Sequence, residues 1–297
     1  MKRISLLLLY FFLCKSICFA QDVNLKNIEI PTITENRSNR VITHKAYTVS
    51  YNYDWKIPNW VAYELTDWEV MGEVPRYDRF KPDPMVPQYA TATTEDYKYS
   101  GYDRGHMAPA ADMKWDEDVM KESFYLSNIC PQNPNLNGGV WKDLEEQVRD
   151  LAIEKGKIFV VCGPIVNNTS TTIGANEVVV PQAFYKVLLQ ENDGEIHTIG
   201  FVYENVSGRK PMSTYAMSVD EVEKLTNIDF FPSLPDKIEK IVEAEVDFSQ
   251  WTVNTEYQRT VNTNTKNEVK STETNSKNTE TLEDKAFKIL KTIIENI

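Results

Sequence analysis

"LNGGVWKDLEEQVRDLAIEKG", residues 136–156, carries a clear helical pattern. Large apolar residues recur in it at steps of three, four and three, at Trp141, Leu144, Val148 and Leu151. That spacing places them on one face of a helix. We predict a helix from about Gly138 to Lys155, and Gly156 is a typical residue at which a helix stops.

Strand patterns lie on both sides of this helix. Runs rich in β-branched and aromatic residues follow it, in "KIFVVCGPI" (157–165), "EVVVPQAFYKVLLQ" (177–190) and "EIHTIGFVYE" (195–204). Before it, "AYTVSYNYDWKIPNWVAYELT" (46–66) alternates in the same way, and "ESFYLSNICPQ" (122–132) predicts a short strand closed by Pro131. "SVDEVEKLT" predicts a short helix from Ser218, with Glu221 as its capping-box partner. We therefore predict an α+β domain with a central sheet flanked by helices.

The first 20 residues have the layout of a secretory signal. "MKRISLLLLYFFLCKSICFA" starts with two basic residues, continues with an apolar run and ends in small residues. The run is too short for a lasting membrane span, so we expect cleavage near Ala20, a secreted or periplasmic protein and no stable membrane insertion.

The predicted segments are a signal peptide (1–20), a flexible leader (21–40), the main domain (41–251) and a polar, disordered tail (252–297). The tail lacks the apolar residues that a core needs, apart from a final amphipathic stretch. That stretch, "LEDKAFKILKTIIENI", places five apolar residues on one helical stripe: Leu282, Phe287, Leu290, Ile293 and Ile294.

The charge of the chain limits its function. Cleavage would remove Lys2, Arg3 and Lys15 from 32 basic residues and leave 29 against 44 acidic ones, a net charge of −15. A protein that coats nucleic acid binds mainly through basic surface, so this acidity argues against that class. A cleft that concentrates a few cations is not excluded.

Two cysteines, Cys130 and Cys162, would remain after cleavage. In an oxidising compartment they could form a disulfide. The alternative is that both are buried free thiols, since Cys162 lies in a strand-like apolar run.

The first group of candidate catalytic residues is Asp103, Arg104, Gly105 and His106. The imidazole could be a general base beside a cation that clamps phosphate, or the four residues could be a turn with a surface histidine. Further along, Glu145 and Arg149 are four residues apart and could form an ordinary helical ion pair, and Asn137 could simply cap the helix. These alternatives stay open on the residues alone.

Several motifs together resemble a known family. "DRGHMAPAADMKW" (103–115) is followed by "SNICPQNPNLNGGVWKDLEEQVR" (127–149), with Asn137 nine residues after Asn128 and a W-x-x-LE pattern ending at Glu145. In order and spacing this resembles the DNA/RNA non-specific endonucleases of the ββα-metal (His-Me finger) class, over roughly residues 45–250. The resemblance implies a ββα-metal nuclease fold.

The resemblance also implies a role for each matching residue. His106 would be the general base that takes a proton from the attacking water. Asn137 would hold a divalent metal directly, usually Mg²⁺ with Mn²⁺ as a possible substitute, and Glu145 would act on it through water. Arg104 and Arg149 would stabilise charge on phosphorus. Asn128 would support the geometry of the site, and Asp103 would orient the loop.

The function implied is a secreted, Mg²⁺-dependent endonuclease that hydrolyses phosphodiester bonds of DNA and RNA and leaves 5′-phosphates. The alternative is a non-catalytic secreted module on the same fold that binds nucleic acid or mediates adhesion. A neutral imidazole suits the endonuclease hypothesis because it can act as a general base. A single amide ligand suits it because Mg²⁺ keeps most of its waters and accepts few protein ligands.

Basic residues outside the motif could line a substrate groove, and Trp115 could offer a stacking face. The groove candidates are Arg76, Arg79, Lys81, Lys98, Arg104, Lys114 and Lys142. The alternative is that they are ordinary solvated charges. For the other two histidines, His44 and His197, we expect surface or packing roles, because neither has ligand spacing.

Overall fold

A seven-stranded antiparallel sheet is the centre of the protein. The computed structural model describes residues 23–192 and 194–253. The strands there are β1 (Thr32–Ile33), β2 (Arg40–Thr43), β3 (Thr48–Asn52), β4 (Ile57–Thr66), β5 (Asp103–His106), β6 (Ile129–Gln132), β7 (Lys157–Ile165), β8 (Thr172–Ile173), β9 (Val178–Val179), β10 (Ala183–Asn192), β11 (Glu195–Glu204), β12 (Ala216–Met217) and β13 (Ile228–Asp229). The sheet order is β12-β11-β10-β7-β4-β3-β2.

The helices lie between these strands. They are α1 (Asp67–Val70), α2 (Thr94–Tyr97), α3 (Glu117–Ser123), α4 (Pro134–Asn137), α5 (Val140–Lys155), α6 (Val219–Thr226) and α7 (Asp236–Val242). Short 3₁₀ turns occur at Gln88–Ala90, Ala110–Asp112, Leu126–Asn128, Met212–Thr214 and Phe248–Trp251. The predicted α+β class, with an antiparallel-rich sheet flanked by helices, is confirmed.

Both faces of the sheet are buried, so the fold has three layers. Successive residues of a strand point to opposite faces, and β4 sends Val61 and Tyr63 to one core and Trp60 and Ala62 to the other. The first core contains α5 and the residues that follow β5. The second contains α6 and the chain around β13. The two layers of helices are therefore separated by the sheet.

Helix α5 buries the face that its spacing predicts. The buried residues include Trp141, Leu144, Val148 and Leu151. The helix ends at Gly156, whose φ of +84° is the left-handed conformation that glycine adopts easily. Its start differs from the prediction, because the separate short helix α4 precedes it and Gly139 is its N-cap.

The predicted capping box at Ser218 is present: its hydroxyl accepts from the Glu221 N–H, and the Glu221 side chain bonds back to the Ser218 N–H. The predicted strand over 122–132 is shorter than expected and begins at Ile129. Residues before it form α3, because Asp116 caps that helix by accepting two backbone N–H groups. In 177–190 the chain forms two strands, β9 and β10, with Pro181 between them, where it cannot donate to a ladder.

The described part of the predicted flexible leader is instead packed onto the domain. Ile28 is fully buried in the second core, and β1 pairs with β13. The physical reason is apolar burial, since Ile30 and Ile33 also contact this core. The boundaries 41–251 otherwise stay a prediction. The signal peptide (1–20) and the predicted tail and its helix, from residue 254 on, lie outside the described residues.

Cys130 and Cys162 are free and fully buried on β6 and β7, so the disulfide alternative is wrong. The Cys162 thiol donates to the Met107 carbonyl oxygen at 3.1 Å. Among the helices of the described residues, none has the length and apolar character that a membrane crossing needs.

Candidate active site

The strand β5 carries the DRGH residues and pairs antiparallel with β6, so that His106 lies opposite Ile129. The imidazole is packed between aromatic rings, with centroids 5.3 Å from Phe80 and 4.9 Å from Phe124. His106 is 8% exposed. Within the described part of the chain its Nε2 has no hydrogen-bond partner. A turn with a surface histidine, the alternative from sequence, is thus not what the chain forms.

Two arginines surround this aromatic pocket. The Arg104 guanidinium lies 4.5 Å from the Phe80 ring centroid, and that of Arg76 lies 5.0 Å from the Phe124 ring centroid. Burial, together with the positive charges of Arg76 and Arg104, lowers the pKa of His106 to about 3. The imidazole is therefore neutral at pH 7, with an unprotonated ring nitrogen that can accept a proton.

Gly105 is required by a close approach within the protein. A Cβ at this position would lie 2.7 Å from the Cβ of Gln132, which is fully buried on the paired strand. A glycine can let the backbone approach a ligand closely. In the structure the space beside it is filled by Gln132.

Asn128 fixes the chain directly after His106. Its Nδ2 donates to the carbonyl oxygens of Ala108 and Ser123, at 2.9 and 2.8 Å, and its Oδ1 accepts from the Ala108 N–H at 2.9 Å. Its own carbonyl accepts from the Met107 N–H. All of its amide atoms are engaged inside the protein, so its contacts are those of a residue that positions the site.

Asn137 is the last residue of α4 and is tied to the DRGH strand. Its Nδ2 donates to Oδ2 of Asp103 at 2.9 Å. The helix-cap alternative is wrong, because Gly139 precedes α5. No described residue donates a hydrogen bond to Oδ1 of Asn137, so the carbonyl end of this amide is available to a ligand.

Arg149 pairs with Asp112 rather than with Glu145. Its Nη1 lies 2.8 Å from Asp112 Oδ1, and the Tyr63 hydroxyl donates to Oδ2 of the same carboxylate at 2.9 Å. The expected helical ion pair is therefore replaced by a contact with the loop that follows His106. The two links, Asn137 to Asp103 and Arg149 to Asp112, hold the α4–α5 segment along the DRGH segment at two points.

Glu145 lies on α5 between these two links and is partly exposed. Burial and the charge of Asp112 raise its pKa to about 7, against the opposing effects of Lys186 and Arg149. Lys186 is fully buried on β10, with its Nζ 4.8 Å from the Trp141 ring centroid. The charge of Lys186 thus offsets only part of the effect of burial, which disfavours the ionised carboxylate at this position.

The donor set at Asn137 and Glu145 fits a hard divalent cation. The amide oxygen of Asn137 and the carboxylate of Glu145, on the consecutive helices α4 and α5, are the types of ligand atom that Mg²⁺ takes, and Mg²⁺ retains several waters. A single direct protein ligand leaves the remaining positions to water and substrate oxygens.

Three residues near the site were not among the predicted catalytic residues. They are Arg76, Asp112 and Lys186. Arg76 was expected only in the groove, and Asp112 lies in the quoted motif without a role. For Lys186 a signal was present, because a lysine in the apolar run "FYKVLL" must be buried in a two-sided sheet.

The remaining groove candidates differ in their surroundings. Lys98 and Lys142 form ion pairs with Glu95 and Glu146, and Arg79 and Lys81 lie against tyrosine rings. Trp115 packs partly buried against Trp68, at a centroid distance of 5.3 Å, and is not a free stacking face. A cavity of about 320 Å³ beside the motif is lined by residues that include Lys98, Tyr102 and Arg104.

The other histidines lie outside this arrangement. His44 is buried, with its Nε2 2.9 Å from Oδ2 of Asp83, which also accepts from the Ser127 hydroxyl at 2.6 Å. His197 is partly exposed near Glu195. Both have packing or surface roles.

Comparisons with known proteins identify the family and relatives of this chain. The model of the DNA/RNA non-specific endonuclease family matches residues 24–237. The mitochondrial nuclease EXOG of Danio rerio is 38% identical over 204 residues, which cover 63% of this chain and 60% of that protein. Human mitochondrial endonuclease G is 31% identical over 206 residues, covering 65% of this chain and 69% of that protein. The match thus spans less than two thirds of the EXOG protein.

Among solved structures, that of the EndoG/EndoGI complex, which concerns the mechanism of EndoG inhibition, superposes with a TM-score of 0.63. The two chains are 32% identical, and the match covers 67% of this chain and 88% of that chain. This likeness confirms the predicted ββα-metal nuclease fold. The predicted secreted or periplasmic location is contradicted, because the relatives whose names state a compartment are mitochondrial.

Proposed function

Because the chain belongs to the DNA/RNA non-specific endonuclease family, we propose that it is a metal-dependent endonuclease that hydrolyses phosphodiester bonds of DNA and RNA. The observation that carries this proposal is the state of His106. It is a buried imidazole with an unpartnered Nε2, held beside the guanidinium groups of Arg76 and Arg104, and this environment lowers its pKa.

In the proposed mechanism, the His106 imidazole accepts the proton of the attacking water through a ring nitrogen. The guanidinium groups of Arg76 and Arg104 hold the phosphate and stabilise charge that develops on it. A phosphate between them would also offset the charges that depress the pKa of His106. Substrate binding would thereby make the imidazole a stronger base at the moment it is needed.

The residues on α4 and α5 complete the site. Oδ1 of Asn137 would hold Mg²⁺ directly, with Mn²⁺ as a possible substitute, and Glu145 would act through a water. When bound, the cation supplies positive charge at the scissile phosphate and leaving oxygen. Arg149 is fixed by Asp112 and would add to the positive charge facing the phosphate. Asn128 and Asp103 act as positioning residues. The expected products carry 5′-phosphates.

The test is nicking of supercoiled plasmid and cleavage of RNA by the full-length protein, in Mg²⁺ and in EDTA. The His106→Ala variant should lose at least about 10²-fold in rate, as removal of a general base does. The matched control is His197→Ala, which removes a histidine far from the motif in sequence and should keep the wild-type rate. Ligase should reseal the nicks, because it requires a 5′-phosphate.

Three results would contradict the proposal. If the wild-type protein binds DNA and RNA but leaves both intact in Mg²⁺ and in Mn²⁺, the chain is a binding module on a nuclease fold. If cutting persists in EDTA, the metal requirement is wrong. If His106→Ala cuts at the wild-type rate, the assignment of the general base is wrong.

A further inference from the structure

Three carboxylates converge on the face of the sheet opposite to His106. Asp220 and Glu223 lie one turn apart on α6, and Glu243 is the C-cap residue of α7. One carboxylate oxygen from each lies within 4.8 Å of the other two. Helices α6 and α7 belong to the layer of the second core, so the sheet separates this cluster from the candidate active site.

Among the described residues, the Glu243 carboxylate has no cationic partner, and one of its oxygens has no hydrogen-bond donor. Glu243 is 2% exposed, and its Oε1 is buried without a hydrogen-bond donor among the described residues. Over residues 23–192 and 194–253, no lysine or arginine forms an ion pair with any of the three carboxylates. A buried carboxylate without a cation or donor is strongly disfavoured, so this group points to a missing positive partner.

The electrostatics of the cluster agree with this interpretation. Burial, followed by the charges of Glu223, Glu239 and other acidic neighbours, raises the pKa of Glu243 to about 9. Burial also raises the pKa of Glu223 to about 7, although its Oε1 accepts from the Phe230 N–H at 2.8 Å.

The backbone holds the three residues in this arrangement. The Asp220 N–H donates to the Glu243 carbonyl oxygen at 3.1 Å, which links α6 directly to the end of α7. The Thr198 hydroxyl of β11 donates to the carbonyl oxygen of Val242 at 2.6 Å. The carboxylates are thus presented by a fixed framework, and a cation could bind without refolding of the segment.

We propose that Asp220, Glu223 and Glu243 form a binding site for Ca²⁺ that fastens α7 to α6. Carboxylate oxygens are ligands for hard cations, and ligands on opposite sides of Ca²⁺ lie about 4.6–5.2 Å apart, compared with about 4.1 Å for Mg²⁺. Three carboxylate oxygens within 4.8 Å of one another can share one ion, and a set of three carboxylates suits Ca²⁺ because Mg²⁺ is usually bound through only one or two. The ion neutralises the buried Glu243 and has a structural role, separate from the proposed nuclease chemistry.

The experiment is a Ca²⁺ titration of the full-length, chelator-treated protein. Calorimetry measures the heat of binding, and thermal unfolding measures the midpoint Tm. At about 100 times Kd, a ligand that binds only the folded state should raise Tm by about 5 °C or more. Asn137→Ala should show the same rise, because it removes the proposed catalytic metal ligand and leaves this cluster intact. Glu243→Gln should bind Ca²⁺ at least about 10-fold more weakly, because affinity follows the number of charged ligands.

The matched control is Glu239→Gln, which makes the same charge change on the same helix but outside the three ligands. It should keep the Tm rise. The proposal is overturned if neither heat nor a Tm rise is seen up to about 10 mM Ca²⁺, beyond the weakest affinities of calcium modules. It is also overturned if Glu243→Gln retains the wild-type response. Neither readout uses nuclease activity, so the result is independent of the proposed function.

Discussion

Asp103 and Asn137, 34 positions apart in the chain, are joined by one hydrogen bond in which Nδ2 of Asn137 donates to Oδ2 of Asp103 at 2.9 Å. This bond fixes which end of the amide faces the site. An ionised carboxylate can only accept, so the amide nitrogen must face Asp103 and the carbonyl oxygen must face away. Asp103 is therefore a positioning residue for the proposed metal ligand.

The first prediction concerns Asp103→Asn. An asparagine side chain can donate as well as accept, so Asn137 can turn over and present its NH₂ group to the metal. We expect the Mg²⁺ concentration at half-maximal cleavage to rise by about 10-fold or more, since partners of metal ligands commonly have effects of that size. The rate at saturating Mg²⁺ should fall less. A Mg²⁺ titration of plasmid nicking measures both quantities.

Asp143→Asn is the matched control for this substitution. Asp143 lies on the first turn of α5 and pairs with Arg209 near the surface. The Asp143→Asn substitution makes the same charge change close to Asn137 in sequence, but it does not affect the hydrogen bond to the Asn137 amide. If both variants shift the Mg²⁺ midpoint equally, the effect is one of general charge, and the positioning role is wrong.

A second prediction concerns the stability of the site. Asp112 has a fully buried side chain that accepts from Arg149 and from Tyr63. Asp112→Asn would leave the Arg149 guanidinium, 16% exposed, without its counter-charge. We expect a loss of about 2–4 kcal/mol in the free energy of unfolding, somewhat below the loss for breaking a fully buried pair. Urea unfolding measures it.

Asp118→Asn serves as the comparison, because it removes an aspartate that pairs with Lys121 on the surface of α3. Exposed ion pairs stabilise little, so this variant should unfold at nearly the wild-type urea concentration. Equal effects of the two substitutions would mean that the Asp112 pair is not a structural link.

Much of the fold could be predicted because local patterns agree with tertiary burial. The spacing from Trp141 to Leu151 predicted the buried face of α5, and Ser218 predicted the start of α6. Where a prediction from the sequence was wrong, the cause was a contact with a segment distant along the chain. Ile28 is buried in the second core together with residues of α6 and β13, so its burial depends on segments that are distant along the chain.

The residues of the candidate site were proposed from a motif, and the sequence did not predict all of their contacts. His106, Asn137 and Glu145 follow from a motif, but the partner of Arg149 does not. Helical spacing suggested Glu145, whereas the loop after β5 brings Asp112 to Arg149, 37 positions earlier in the chain. Arg76 reaches the Phe124 ring by a similar non-local path. Contacts set by tertiary packing cannot be read from spacing along one element.

A third prediction tests the packing at Gly105. In Gly105→Ala the new Cβ would overlap the buried Gln132 side chain, and we expect a loss of about 1–3 kcal/mol in the free energy of unfolding, typical of overpacking. Gln132→Ala in the same chain should restore part of that loss, because it removes the obstructing atoms. Unfolding curves of the two single variants and the double variant give the coupling. Strict additivity would show that the two side chains do not compete for space.

A fourth prediction concerns the protonation of His106. Because burial and two arginines lower its pKa to about 3, the imidazole should stay neutral from pH 8 to about pH 5.5, where a histidine of ordinary pKa is about 90% protonated. NMR of the imidazole nitrogens can follow this, since the chain has only three histidines and His106→Gln identifies the signal. A midpoint near pH 6.5 for His106 would contradict the buried, neutral base.

The same shift makes stability depend on pH, with a defined sign. The unfolded chain binds a proton at His106 below about pH 6.5, whereas the folded chain does so only near pH 3, so stability falls as the pH drops below 6.5. Between pH 7.5 and 5.5 the loss due to this residue should be about 1.3 kcal/mol, which follows from 1.36 kcal/mol per pH unit. His106→Gln should lack this component. If wild type and variant lose equal stability over that range in urea unfolding, His106 is protonated as readily in the folded protein as in the unfolded chain.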